Sequence, residues 1–249
     1  MAKLTEDELI NVLADALKLV RDQPKKAGVL APLLYEPRAR LPGLLQDLEV
    51  FVAKANPTRE ERVAAGILLE QLMLVTFAGL RYDTIASYQS AGPQIDLLVN
   101  GSELTWQSVA SYLRIDPQRR GIVVEAKATE APVSTAQFLR VCALMQVNLA
   151  TTVSLGVFFT IKGATGFPDE VRRRSVSDAR LEQMLFMARH RLPVVVLDLD
   201  DIRQLNAPGA LVQILAAKVQ EVEACTGMRL EMVDARCLPD LPDHLKNLI

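Results

Sequence analysis

The sequence predicts an α/β fold in which a mixed central β-sheet is flanked by helices, with a small helical appendage at the N-terminus. Three observations predict it. Capping-box pairs at Thr5 and Glu8, Thr58 and Glu61, and Ser134 and Gln137 each open a segment of helical periodicity. Short apolar runs at residues 95–99, 122–127, 155–161 and 193–199 have strand length and are bounded by turn residues. These runs alternate with helices but form no unbroken βαβ series, so the sheet is expected to be mixed rather than all-parallel.

The elements follow in order. Ile10, Leu13, Leu17 and Val20 continue the first capping box at helical spacing, and Pro24 ends that helix. Pro32, Pro37 and Pro42 punctuate the chain before a second helical pattern at residues 44–55, closed by Asn56-Pro57. Residues 1–56 are therefore expected to be the appendage, and residues 57–249 the sheet-containing domain with a helical C-terminal extension. Thr58 launches a long apolar helix to about residue 80. Residues 82–88 and 95–99 read as strands, and Asn100-Gly101 reads as a hairpin turn, because both residues tolerate positive φ. The return strand is then expected at residues 103–109. A strand at 122–127, a helix at 134–149 and a strand at 155–161 come next. A basic helical stretch at 167–191, a strand at 193–199 and a helix at 210–225 ending at Gly227 complete the order.

Composition narrows the function classes. Half of the 249 residues are hydrophobic, which suffices for a substantial core. A net charge of −2 excludes attachment to nucleic acid by bulk electrostatics, so phosphate contacts must come from local Lys and Arg. Cys142, Cys225 and Cys237 are odd in number and form no CxxC pair, which fits a reducing, cytoplasmic setting. The polar start lacks the basic and apolar blocks of a secretory signal. Glu70 and Gln71 interrupt the longest apolar stretch, so no membrane partner is expected. His190 and His244 are isolated, which argues against a His-based metal site or triad, and no glycine pattern forms a Walker or dinucleotide fingerprint.

What chemistry the chain offers is concentrated in Gly92-Pro93-Gln94-Ile95-Asp96 and Gly121-Ile122-Val123-Val124-Glu125-Ala126-Lys127. Alternate side chains of a strand share a face, so Glu125 and Lys127 stand together while Ile122, Val124 and Ala126 turn to the core. Asp96, among Ile95, Leu97, Leu98 and Val99, is an expensive unpaired charge and the natural second carboxylate. Two carboxylates and a backbone carbonyl, here that of Ala126, suit a hard oxygen-seeking cation such as Mg²⁺. An ammonium at Lys127 would favour hydroxide formation and stabilise developing charge at phosphorus. Glu-x-Lys alone is ordinary on an exposed strand. Glu70 adds weight, because Val63, Ile67, Glu70 and Leu74 fall within one helical sector, which makes a carboxylate inside an apolar stripe; pairing with an arginine such as Arg81 is the plainer alternative.

Together these residues resemble the PD-(D/E)XK nuclease superfamily, over about residues 58–161 and more loosely to 199. The resemblance implies a restriction-endonuclease-like fold for residues 57–249. It also implies Mg²⁺-dependent phosphodiester hydrolysis, with Mn²⁺ as a substitute, usually of DNA and less often of RNA. Glu70, Asp96, Glu125 and Lys127 fall at its site positions, with Asp96, Glu125, Glu70 and the Ala126 carbonyl as metal ligands. Gln137 falls where some members carry a further site glutamine, yet it also completes the capping box with Ser134. Restriction or antiphage defence, a homo-oligomeric assembly and other defence-system proteins as partners are the settings such nucleases suggest. Arg119, Arg120, Arg172, Arg173 and Arg174 are candidate phosphate contacts, as are Arg189 and Arg191. Asp198, Asp200 and Asp201 imitate a metal-binding Asp-x-Asp pair, but acidic residues between a strand and a helix usually cap the helix.

Overall fold

In the computed structural model, the described residues are 30–80, 84–86, 96–100, 103–128, 131–165 and 179–225. The helix expected near the N-terminus, Arg81, Arg172, Arg173, Arg174 and Gly227 lie outside them.

Among the described residues, five strands form one sheet in the order β1 (Thr84–Ala86), β2 (Leu97–Asn100), β3 (Gly121–Lys127), β4 (Val153–Thr160) and β5 (Val194–Leu197). The pairs β1–β2 and β2–β3 are antiparallel, whereas β3–β4 and β4–β5 are parallel. The mixed α/β sheet expected from the alternation of segments is thus present, and β3 is the strand where pairing changes from antiparallel to parallel.

Both faces are covered, which explains why β4 and β5 read as continuous apolar runs. One face carries Leu97, Val99, Ile122, Val124, Leu155, Val157 and Phe159 into a core with α3 (Arg59–Phe77), α4 (Glu103–Leu113) and α8 (Ala210–Cys225). The opposite face carries Leu98, Val123, Phe158, Val194 and Val196 against α5 (Thr135–Ala143) and α6 (Ala179–His190). Phe138 of α5 stacks on Phe158 of β4 with ring centroids 5.4 Å apart. The helices α5 and α6, which lie between the parallel-paired strands in sequence, therefore pack on one side of the sheet. A π-helical turn, Leu144–Asn148, continues α5.

Residues 30–56 share the first core. The short helices α1 (Ala31–Leu34) and α2 (Leu41–Val52) each accept a proline in the first turn, where no amide hydrogen is required. Ala31, Tyr35, Leu41 and Leu48 are fully buried among residues of α3 and α8. The Tyr35 hydroxyl donates to the Leu205 carbonyl at 2.8 Å, and Arg203 of α7 (Leu199–Arg203) grips Glu49 of α2 through two nitrogens at 2.6 and 3.0 Å. Gly209, at φ +80°, approaches α1 so closely that an added Cβ would sit 2.7 Å from that of Ala31.

Two expectations are corrected. Residues 103–113 are helix α4, not the return strand of a hairpin. Trp106, Val109, Ala110 and Leu113 recur at helical spacing and are all buried, so packing overrides the strand preference of Thr, Trp, Val and Tyr. The stripe of α3 containing Glu70 is not buried: Val63, Ile67 and Leu74 are exposed, as is Glu70, and the buried side is Leu69, Leu72, Met73, Thr76 and Phe77. Helical periodicity defines sectors but not which sector faces the core, and α3 has two apolar ones.

Candidate active site

The antiparallel register of β2 and β3 pairs Leu98 with Val123 and Leu97 with Val124. One further step places Asp96 opposite Glu125, on the face that carries α5. The ladder stops there. In place of a β2 backbone carbonyl, the Asp96 carboxylate takes the Ala126 amide hydrogen through Oδ2 at 2.8 Å. That bond holds Asp96 against the end of β3 by main-chain geometry. The N–H and C=O of one strand residue point to the same side, so the Ala126 carbonyl faces Asp96 as well.

Glu125 is 3% exposed, although it is a carboxylate at the end of a strand. Two cations make this burial tolerable. Lys127, two residues along on the same face, places its Nζ 2.9 Å from Glu125 Oε1. Arg140, from α5, bonds the same oxygen through Nη2. Sequence reading missed Arg140. It lies one turn beyond Gln137 on the helix that follows the Glu-x-Lys strand, a position from which a long side chain can reach back over the strand end.

The electrostatics of Asp96 follow from these neighbours. Burial raises its carboxyl above the ordinary carboxylate range, and the nearby Glu125 raises it further; the Ala126 N–H and Lys127 oppose this, and Glu70 adds a small push in the raising direction. Asp96 therefore feels Glu125, Lys127 and, least of these, Glu70. A half-buried carboxylate that burial and the neighbouring Glu125 push toward its neutral form is part of a donor set that a small divalent cation would relieve. Among the described residues, however, no group of three or more His, Cys, Asp or Glu side chains gathers closely enough to hold a metal. The donor set that fits is Asp96, Glu125 and the Ala126 carbonyl. Glu70 is exposed at the rim and is not a third close ligand.

Other candidates lie elsewhere. Gln137 completes the capping box of α5: its side chain accepts the Ser134 N–H at 2.9 Å, while its own N–H donates to Ser134 Oγ at 3.4 Å. Its carboxamide oxygen is thereby committed to the helix end. Arg119 pairs with Asp116 at 3.5 Å, and Arg119 and Arg120 precede β3. At about 3.3 Å per strand residue, Arg120 is about 17 Å from Glu125 along the strand, so neither arginine converges on the carboxylates. Asp198 caps α7 by accepting from the N–H groups of Asp200 and Asp201, and Asp201 pairs with Lys218 at 2.7 Å; no Asp-x-Asp metal site forms there. His190 packs on the Phe186 ring, with centroids 4.9 Å apart. Cys142 is buried, which pushes its thiol up to about 12.

The fold and site define a mixed α/β protein with a carboxylate–lysine cluster where β2 begins and β3 ends. No protein-family model, curated protein or solved structure matches the chain. No helix among the described residues is long and apolar enough to cross a membrane.

Proposed function

We propose that this chain is a divalent-metal-dependent endonuclease of the PD-(D/E)XK type, with a restriction-endonuclease-like fold, that hydrolyses phosphodiester bonds in DNA. The observation that carries this reading is the pairing of Asp96 with the end of β3, where Glu125 and Lys127 share one face and stand 2.9 Å apart. Helix α3 before the antiparallel-paired strands β1, β2 and β3, with α4 between the last two, and α5 before a parallel β4, support the same reading.

Asp96, Glu125 and the Ala126 carbonyl would hold the ion. A bound Mg²⁺, or Mn²⁺ in its place, supplies Lewis-acid polarisation of a phosphoryl oxygen and neutralises its charge. The rest is the chain's own work. Lys127 is one-quarter exposed and tethered by Glu125; a water beside its Nζ would give its proton to solvent at lower cost and attack phosphorus in line, as the P–O bond to the opposite sugar oxygen breaks and that oxygen takes a proton from solvent. The Ala126 amide fixes the Asp96 oxygen, so little reorganisation is needed when substrate arrives. Restriction or antiphage defence in the cytoplasm, with homo-oligomers cutting both strands, is the setting we favour, by analogy alone.

The test is cleavage of plasmid DNA and of RNA with Mg²⁺, with EDTA, and with Lys127→Ala. Metal-dependent nicking is expected, reduced roughly 10²-fold or more in Lys127→Ala. No metal-dependent cutting of either polymer would sink the enzyme reading, and preference for RNA would replace DNA as substrate. One observation favours a second reading, a protein that keeps this fold to bind or regulate without cutting. Glu125 already has two cationic partners, and the described residues supply only two close carboxylates.

A further inference from the structure

We propose that Arg140 is an exchangeable counter-ion of Glu125, holding the carboxylate while no metal is bound and turning to a substrate phosphate once a divalent cation takes its place. This rests on the metal-dependent reading above. The two cations on Glu125 differ in how they are held. Lys127 belongs to the same strand and the same face, so its stem cannot leave the neighbourhood of the carboxylate. Arg140 reaches over from α5, and its side chain is 45% exposed, against 4% for that of Glu125.

Both cations bond Oε1. A metal ion that takes this oxygen competes with both, and the guanidinium at the solvent boundary is the one able to go. Burial favours the exchange in both directions: with Lys127 as its one remaining cation, Glu125 would be a less fully compensated buried charge. Once released, the guanidinium remains anchored on the helix that starts just beyond β3. Its planar fork matches two phosphate oxygens, and it stays within reach of the place where Lys127 acts.

The experiment uses the full chain and two readouts. Isothermal titration with Mn²⁺ compares wild type, Arg140→Gln, Arg140→Lys and Asp96→Asn. Fluorescence anisotropy follows a labelled DNA duplex with Ca²⁺, whose looser oxygen coordination fills the site without demanding ideal geometry. Removing a charge-assisted hydrogen bond that competes with the ion should tighten Mn²⁺ binding roughly tenfold in Arg140→Gln and weaken DNA binding by about the same factor.

Arg140→Lys covers the case in which Arg140→Gln does not fold. A single ammonium pairs less firmly than the fork, so this variant should tighten Mn²⁺ binding less than Arg140→Gln does and recover part of the DNA affinity. A merely structural arginine would instead give unchanged or weaker Mn²⁺ binding in both variants. That result, with an Asp96-dependent Mn²⁺ site intact in wild type, overturns the exchange and leaves the metal site standing. Absence of Asp96-dependent Mn²⁺ binding in wild type overturns the metal reading, and the exchange falls with it.

Discussion

Replacing Asp96 with Asn should make the metal-free protein more stable near neutral pH. The amide keeps an oxygen for the Ala126 N–H, so the 2.8 Å hydrogen bond survives while the charge disappears. Burial and Glu125 are the two leading causes that raise the Asp96 carboxyl, ahead of the opposing Ala126 N–H and Lys127. Two unit charges about 5 Å apart, the spacing of a directly opposed pair, repel by about 3 kcal/mol at an effective dielectric near 20. The lost attraction to Lys127 and solvent screening at this half-buried site offset much of that. The net gain should be on the order of 1 kcal/mol, or a melting shift of about 2–4 °C for a chain of this size.

The pH dependence fixes the sign independently. The folded-state value of Asp96 is raised above its ordinary 3.8, so folded wild type holds this proton more tightly than the unfolded chain does. The contribution of protonated Asp96 is fully present below about 3.8 and is lost as pH rises through the raised folded value. The advantage of Asp96→Asn should therefore be full at neutral pH and vanish in acid. Thermal unfolding in EDTA across that range measures it, and a parallel series with Mn²⁺ should stabilise wild type alone. An Asn variant that is less stable than wild type at neutral pH, or whose advantage grows in acid, would refute this account of the site.

Three further outcomes are expected. Gln137→Ala should cost about 0.5–1 kcal/mol in denaturant unfolding through its loss from the α5 cap, with Mn²⁺ affinity unchanged; a large loss of cleavage without loss of stability would return Gln137 to the chemistry. Tyr35→Phe should cost about 1–2 kcal/mol, because the Leu205 carbonyl loses its buried donor; no measurable change would mean that residues 30–56 are not integral to the core. Cys142 should resist iodoacetamide in the native protein at mildly alkaline pH and react on unfolding, as read by mass-spectrometric mapping, since burial keeps it a thiol.

Strand β3 was legible because its apolar run ends in two charges of the same parity, and α3 because Thr58 and Glu61 cap it in both sequence and structure. Helix α4 was not. Asn100-Gly101 and the strand-forming residues after it agree locally on a hairpin, and only burial of Trp106 and Leu113 in a distant core decides against one. Glu70 was located correctly on its helix but assigned the wrong surroundings, since the pattern of α3 allows two apolar sectors. Arg140 had no local signal: its partner lies on another element, and only the fold of α5 over β3 brings them together. What the sequence carries well is periodicity and capping; what it hides is which side of an element meets which neighbour.

The change from antiparallel to parallel pairing at β3 sets a ruler for the site. Asp96 and Glu125 are spaced by a backbone ladder that is locked on one side to β2 and on the other to β4. Substitution can alter what the two carboxylates do without altering how far apart they stand. A single residue inserted between Ile122 and Glu125 would swing the glutamate to the opposite face, toward α3, α4 and α8. The site is thus tolerant of chemical editing and intolerant of changes in length, and descendants of this chain should diverge at β3 by exchange of side chains rather than by insertion or deletion.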